Sequence, residues 1–145
     1  MRNLEEDYRR YAAIEKKLME DGNTKEAEEE ARKEYQELLE EVRAEGKQYG
    51  KLMRLYTEMK KKENLTIVLD GSYDDILDTL LAFKEYGISK FVFASGWTDA
   101  MEQLWKIQSA GAINLGMVEV NESKDYSFTT KQYEYRKVHG FLFQI

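Results

Sequence analysis

Between Lys60 and Asn64 the chain changes its hydrophobic period, and no single regular element can span that change. Upstream, tyrosines and leucines recur at seven-residue intervals among Glu, Lys and Arg. Downstream, short apolar runs such as LTIVLD and FVFAS end in Gly-containing turns. The first pattern belongs to long amphipathic helices, the second to a small sheet with crossover helices. The spacing predicts an α+β chain in two parts: a coiled-coil-like helical hairpin arm over residues 1–63 and a small α/β domain over residues 64–145. A domain of the second size is close to the lower limit for burying enough surface unaided.

In the arm, Leu4, Tyr8, Tyr11, Ile14 and Leu18 fall on one helical face from about Asn3 to Asp21. Gly22 suits a left-handed helix stop and Asn23 a cap for the next helix, with Glu26 three residues on. In the second helix Tyr35, Val42, Tyr49 and Tyr56 are spaced by sevens, and Leu38, Leu52 and Met59 supply the companion seam. Gly46 and Gly50 interrupt it, and Glu45 occupies a seam position, so a bend, break or close backbone contact is expected there. Residues 26–45 are strongly acidic, whereas residues 47–62 carry Lys47, Lys51, Arg54 and Lys60 to Lys62 against Glu58. Such polarity complements a helix dipole and solvates a face, and it also offers charge to a partner.

After Asn64 the order predicted is β-α-β-α-β-β-β, a mixed sheet covered by two helices. LTIVL, FVFAS and INLGMVEV are read as a parallel core, and YSFTT, QYEYRKV and GFLFQI as an antiparallel extension. The first helix, capped by Ser72 with Asp75 at its third position, is expected to bury Ile76, Leu77, Leu80, Leu81 and Phe83. The second is expected to present Met101, Leu104 and Trp105, with Gly87 and Gly111 as the stops.

The strand-end turns are where ligands of open α/β sheets bind. They carry Asp70, Gly71 and Ser72 on one side, and Ser95, Gly96, Trp97, Thr98 and Asp99 on the other. Neither turn is a phosphate-binding fingerprint, and capping accounts for most of these residue types. Asp70 with Asp74 or Asp99 could hold a divalent ion, and Asp74 and Asp78 merely share a helix face. The single histidine, His139, reads as a turn residue ahead of Gly140, so a serine nucleophile would lack a base.

Cysteine is absent, which excludes disulfides, thiolate chemistry and Cys-type zinc sites. The N-terminus lacks a secretory layout, and no apolar run approaches the ~20 residues of a membrane span, so a cytoplasmic protein without membrane contact is expected. A net charge of −6 argues against nonspecific DNA binding.

The string FVFASGWTDAMEQLWKIQSAGAINLGMVEVN, with the terminal GFLFQI, resembles small α/β domains of bacterial mobile elements, mainly of Firmicutes. The matching residues are Ser95, Trp97, Thr98, Gly111, Gly116, Val118, Glu119, Val120 and Asn121, while Gly96 stands where such turns carry another hydroxyl residue. What the resemblance implies is genomic company among phages and plasmids, where acidic inhibitors of host defence, anti-CRISPR proteins included, are common. The expected function is accordingly a non-enzymatic inhibitor or adaptor that binds a protein or ribonucleoprotein, such as a CRISPR effector. No catalytic residue, cofactor or metal site is assigned. The expected contacts are Tyr35, Glu37, Glu41, Tyr49, Lys51, Arg54 and Tyr56 on the arm, with Trp97 and Tyr133 as secondary anchors. The alternatives are a self-associating module that dimerises through the heptad seam, and a small nucleotide- or metal-binding enzyme using the strand-end turns.

Overall fold

The structure, a computed structural model, describes residues 2–71 and 75–145, the side chains of residues 123–126 and 133 excepted. The chain divides into two compact units, residues 1–56 and 57–145. The boundary falls inside a continuous helix.

In the first unit Gly46 splits what the sevens suggested was one helix. Its backbone, at φ 119 and ψ 167, is open to glycine and closed to a helix, so α2 (Lys25–Glu45) ends there and α3 (Lys47–Lys61) begins afresh. Gly50 stays inside α3, where a Cβ would meet only Val42 Cγ1 at 4.0 Å. The arm is therefore three helices and not a two-helix hairpin, the expected interruption being a break at Gly46. Tyr35 and Val42 lie on α2, whereas Tyr49 and Tyr56 lie on α3.

α1 (Leu4–Met19) runs antiparallel to α2, because partners recede along α2 as α1 advances: Arg10 meets Glu41 and Lys17 meets Glu34. Asn3 caps α1 by accepting from the Glu6 N–H at 3.1 Å. Thr24, rather than Asn23, caps α2, accepting from the Ala27 N–H at 3.1 Å. Asn23 instead donates to the Lys17 and Glu20 carbonyls and so seals the end of α1, with Gly22 left-handed at φ 78.

The second unit is α+β: β1 (Val68–Leu69), α4 (Ile76–Glu85), β2 (Lys90–Phe93), α5 (Ala100–Ser109), β3 (Ile113–Ser127) and β4 (Gln132–Gln144). The sheet order is β1-β2-β4-β3, with β1 parallel to β2, and β4 antiparallel to both β2 and β3. The three strands expected to form a parallel core do share a direction, but β4 separates β3 from β2. The final strands expected as separate pieces also merge: QYEYRKV and GFLFQ are one strand, and His139 lies within it opposite Glu119 instead of in a turn. Gly140 allows that continuity, since a Cβ there would lie 2.7 Å from Val92 Cγ1 and 2.8 Å from the Phe93 carbonyl.

Both crossovers advance in the same direction across the sheet, and right-handed connections then put both helices on one face. α4 and α5 do touch, and the core beneath them is aromatic: Phe83 meets Phe91, and Phe91 stacks on Phe143, each pair with ring centroids 5.5 Å apart. Leu69, Leu80 and Ile107 complete it. Each such side chain contributes about 1.5–3 kcal/mol by leaving water.

Candidate interaction surface

At the carboxyl ends of β1 and β2 the turns are filled by their own groups. Gln103, in the first turn of α5, donates its Nε2 to the Gly71 carbonyl at 3.1 Å and to Asp99 Oδ2 at 2.9 Å. Asp99 therefore holds a side chain instead of capping α5. Gly71 is left-handed at φ 82, and a Cβ on it would lie 2.5 Å from Ser95 Oγ and 3.0 Å from Gln103 Oε1, so this close approach admits only glycine. Ser95 Oγ accepts from the Trp97 N–H at 3.2 Å.

α4 starts later than the sequence suggested. Asp75 is its cap, accepting from the Asp78 N–H at 3.1 Å, while Ser72 and Asp74 lie outside the described residues. No cluster of three or more His, Cys, Asp or Glu suited to a metal occurs among the described residues. Nothing in the sequence singled out Gln103; its signal was only its place four residues after Asp99.

The arm tyrosines turn inward. Tyr49 is 1% exposed and donates its hydroxyl to Asp7, which also takes two hydrogen bonds from Arg2 at 2.9 and 2.7 Å. Burial pushes the Asp7 carboxyl upward. The hydrogen bonds from Arg2 and Tyr49 and the charges of Arg2 and Arg10 outweigh it, and the carboxyl is held below its ordinary range. The Tyr49 hydroxyl is raised, first by burial and then by its bond to Asp7. Tyr56 donates to Glu5 and packs edge-on against Tyr8; burial and that bond push its hydroxyl up to about 12.

Tyr35 lies against Tyr11, and Glu41 takes a 2.6 Å ion pair from Arg10, whose hydrogen bond lowers the carboxyl. Tyr49 is thus a core residue and not a contact. Tyr56 of the seam is likewise engaged, by Glu5 and Tyr8. Glu37 and Arg54 are exposed and Lys51 half-buried, and the side chain of Tyr133 lies outside the described residues.

The apolar surface emerges elsewhere. Leu77 and Leu81, expected to be buried, point outward as Met101 and Trp105 do, because α4 and α5 are turned so that Phe83 and Ile107 lie in the core. Trp97, Met101 and Trp105 are 61%, 78% and 67% exposed. Leu77 and Leu81 line a shallow groove of about 170 Å³ with Ala110, Ala112 and Ile145. By strand alternation the opposite face of the sheet carries Val92, Val118, Val120 and Leu142, which floor a second groove of about 420 Å³. Its wall is held by Asn64, which accepts from the Asn121 N–H at 2.8 Å and donates to the Asn121 carbonyl at 3.0 Å, like one more strand residue.

Residues 51–145 match a domain of unknown function, DUF7698. The chain belongs to this family. The matched segment takes in all of the second unit and enters α3, leaving α1 and α2 outside the family domain. No curated protein and no solved structure matches the chain. Among the described residues no helix is long and apolar enough to cross a membrane.

Proposed function

We propose that the chain is a non-enzymatic binding protein that docks a protein partner on the α4–α5 surface of its family domain. The observation that carries this reading is the outward display of Trp97, Met101 and Trp105 by one helix and its leading turn. Large apolar side chains are ordinarily buried when nothing else covers them, and tryptophan and methionine are enriched where proteins meet. The arm is the weaker contact site, since Tyr35, Glu41, Tyr49 and Tyr56 are engaged inside the first unit. A narrower form, a mobile-element inhibitor of a CRISPR effector or a related cytoplasmic ribonucleoprotein, is supported only by the resemblance around FVFASGW.

Affinity capture tests the reading when run side by side on the intact protein, a Trp97→Ala/Trp105→Ala pair and a Glu37→Ala/Arg54→Ala pair. Partners retained by the intact protein and the arm pair, and lost by the tryptophan pair, are the expected result. Retention by the tryptophan pair with loss by the arm pair moves the contact to the helical arm.

A further inference from the structure

The sheet ends on two edges of unequal length. β1 offers Val68 and Leu69 alone, whereas β3 runs from Ile113 to Ser127 with β4 on one side only. Exposed strand edges are ordinarily blunted by lysine, proline, a bulge or a covering segment. Between Ile113 and Glu122 β3 has neither lysine nor proline. Its two devices are local. A bulge between Asn114 and Gly116 closes on itself, the Gly116 N–H donating to Asn114 Oδ1 at 2.8 Å, and Asn64 covers Asn121.

Asn64 shows which way the backbone of this edge points. Its carboxamide accepts from the Asn121 N–H and donates to the Asn121 carbonyl, the two bonds that a residue of a neighbouring strand would make. Asn121 therefore turns its main-chain groups away from β4. Pairing runs without a shift from Gly116 to Ser123, so alternation turns Glu119 and Met117 the same way. The far side of the sheet gives the same phase: Val92 donates to the Ile67 carbonyl, so Phe93 and Phe141 bond each other, and Phe141 has no main-chain group left for Met117 opposite it. Among the described residues no strand lies beside Met117 and Glu119 on their outer side.

We infer that the edge of β3 is a second docking site, separate from the α4–α5 surface, which takes an extended segment of a partner protein by strand addition. The main chain of that segment bonds the N–H and carbonyl groups of Met117 and Glu119, continuing the ladder that the Asn64 carboxamide begins. Its side chains have apolar neighbours on both faces: exposed Met117 on one, and on the other Val118 and Val120 of the 420 Å³ groove. Uncharged β-branched residues suit that position. A second copy of the chain fits it less well. Antiparallel pairing of β3 with itself over residues 113–119, the stretch that Asn64 leaves free, sets the Gly116 bulges of the two copies against each other at its centre.

Amide hydrogen exchange, read residue by residue by NMR on the full chain, tests the site with a short peptide of alternating valine and threonine and with its backbone N-methylated counterpart. In the free chain the Met117 and Glu119 amides should exchange fast, while those of Val118 and Val120, turned toward β4, are protected. The unmethylated peptide should slow Met117 and Glu119 about ten-fold or more, and the methylated one should not. Glu119→Pro removes only an outward N–H, which an edge strand tolerates, and should lower the peptide affinity about ten-fold with circular dichroism unchanged. Trp97→Ala/Trp105→Ala should leave the response as it is.

Slow exchange of Met117 and Glu119 in the free chain overturns the proposal: with a dimer by light scattering the edge belongs to a second copy, and with a monomer it is already covered. No protection by the unmethylated peptide, or equal binding of the methylated peptide or by Glu119→Pro, overturns strand addition. An equal loss with the tryptophan pair places the peptide on the α4–α5 surface instead, and the edge of β3 is then no site.

Discussion

Asp7 is the most constrained ionisable group in the first unit, because Arg2, Arg10 and Tyr49 all converge on it while water is excluded. Its folded carboxyl titrates below the ordinary value of 3.8, so its stabilisation is complete above that pH and is lost as acid protonates the folded form. Tyr56 has the opposite sign. Raised from 10.0 to about 12, it stabilises fully below pH 10 and loses that contribution as the pH climbs toward 12. Denaturation midpoints measured against pH should fall at both ends, and Asp7→Asn should flatten the acid limb. Tyr49→Phe removes one donor from Asp7 and should cost about 1–3 kcal/mol in urea titrations, with helical content intact. None of this was legible in the sequence. Tyr49 and Asp7 are 42 positions apart, and a tyrosine in a heptad seam looks the same whether it meets a partner chain or a carboxylate of its own.

Among the elements, the glycines told most. Gly22, Gly87 and Gly111 were readable as helix stops, and all three adopt positive φ in the structure. Gly46 was readable as an interruption, although periodicity could not say whether the helix bends or breaks. Gly140 misled, because its placement after His139 resembled a turn when its purpose is clearance. Gly140→Ala should overpack the sheet against Val92 and Ala94 and cost about 1–3 kcal/mol, read as a lowered thermal midpoint with the fold retained. Helix rotation was the other failure. Leu77 and Leu81 are apolar and helical, and sequence pattern alone assigns such residues to a core. Which stripe faces the sheet was decided by Gln103, whose amide holds the Gly71 and Asp99 turns together, and by the fit of Phe83 on Phe91.

At the scale of the whole molecule, the change of period near Asn64 marks a change of architecture, while the first compact unit ends earlier, at Tyr56 within α3. That unit needs the beginning of α3, since Tyr49, Leu52 and Leu55 are among its most buried side chains. A fragment of residues 1–61 should therefore keep cooperative helical melting by circular dichroism. A fragment of residues 1–46, retaining α1 and α2 alone, should melt at a lower temperature and without a sharp transition. In the second unit the α+β class and the shared direction of β1, β2 and β3 could be read from the chain. The order of strands across the sheet could not, because it depends on pairings between segments far apart in sequence.

The position of β4 bears on how the protein is made. A ribosome releases β1, β2 and β3 before β4, yet β3 has no place beside β2 until β4 fills the gap between them. During that interval the emerging polypeptide carries two uncompleted edges, and the aromatic layer lacks Phe143, the ring stacked on Phe91. Closure of the sheet is thereby deferred to the latest strand in the order of synthesis, and nascent molecules stalled short of Gln132 have every reason to be handled by chaperones.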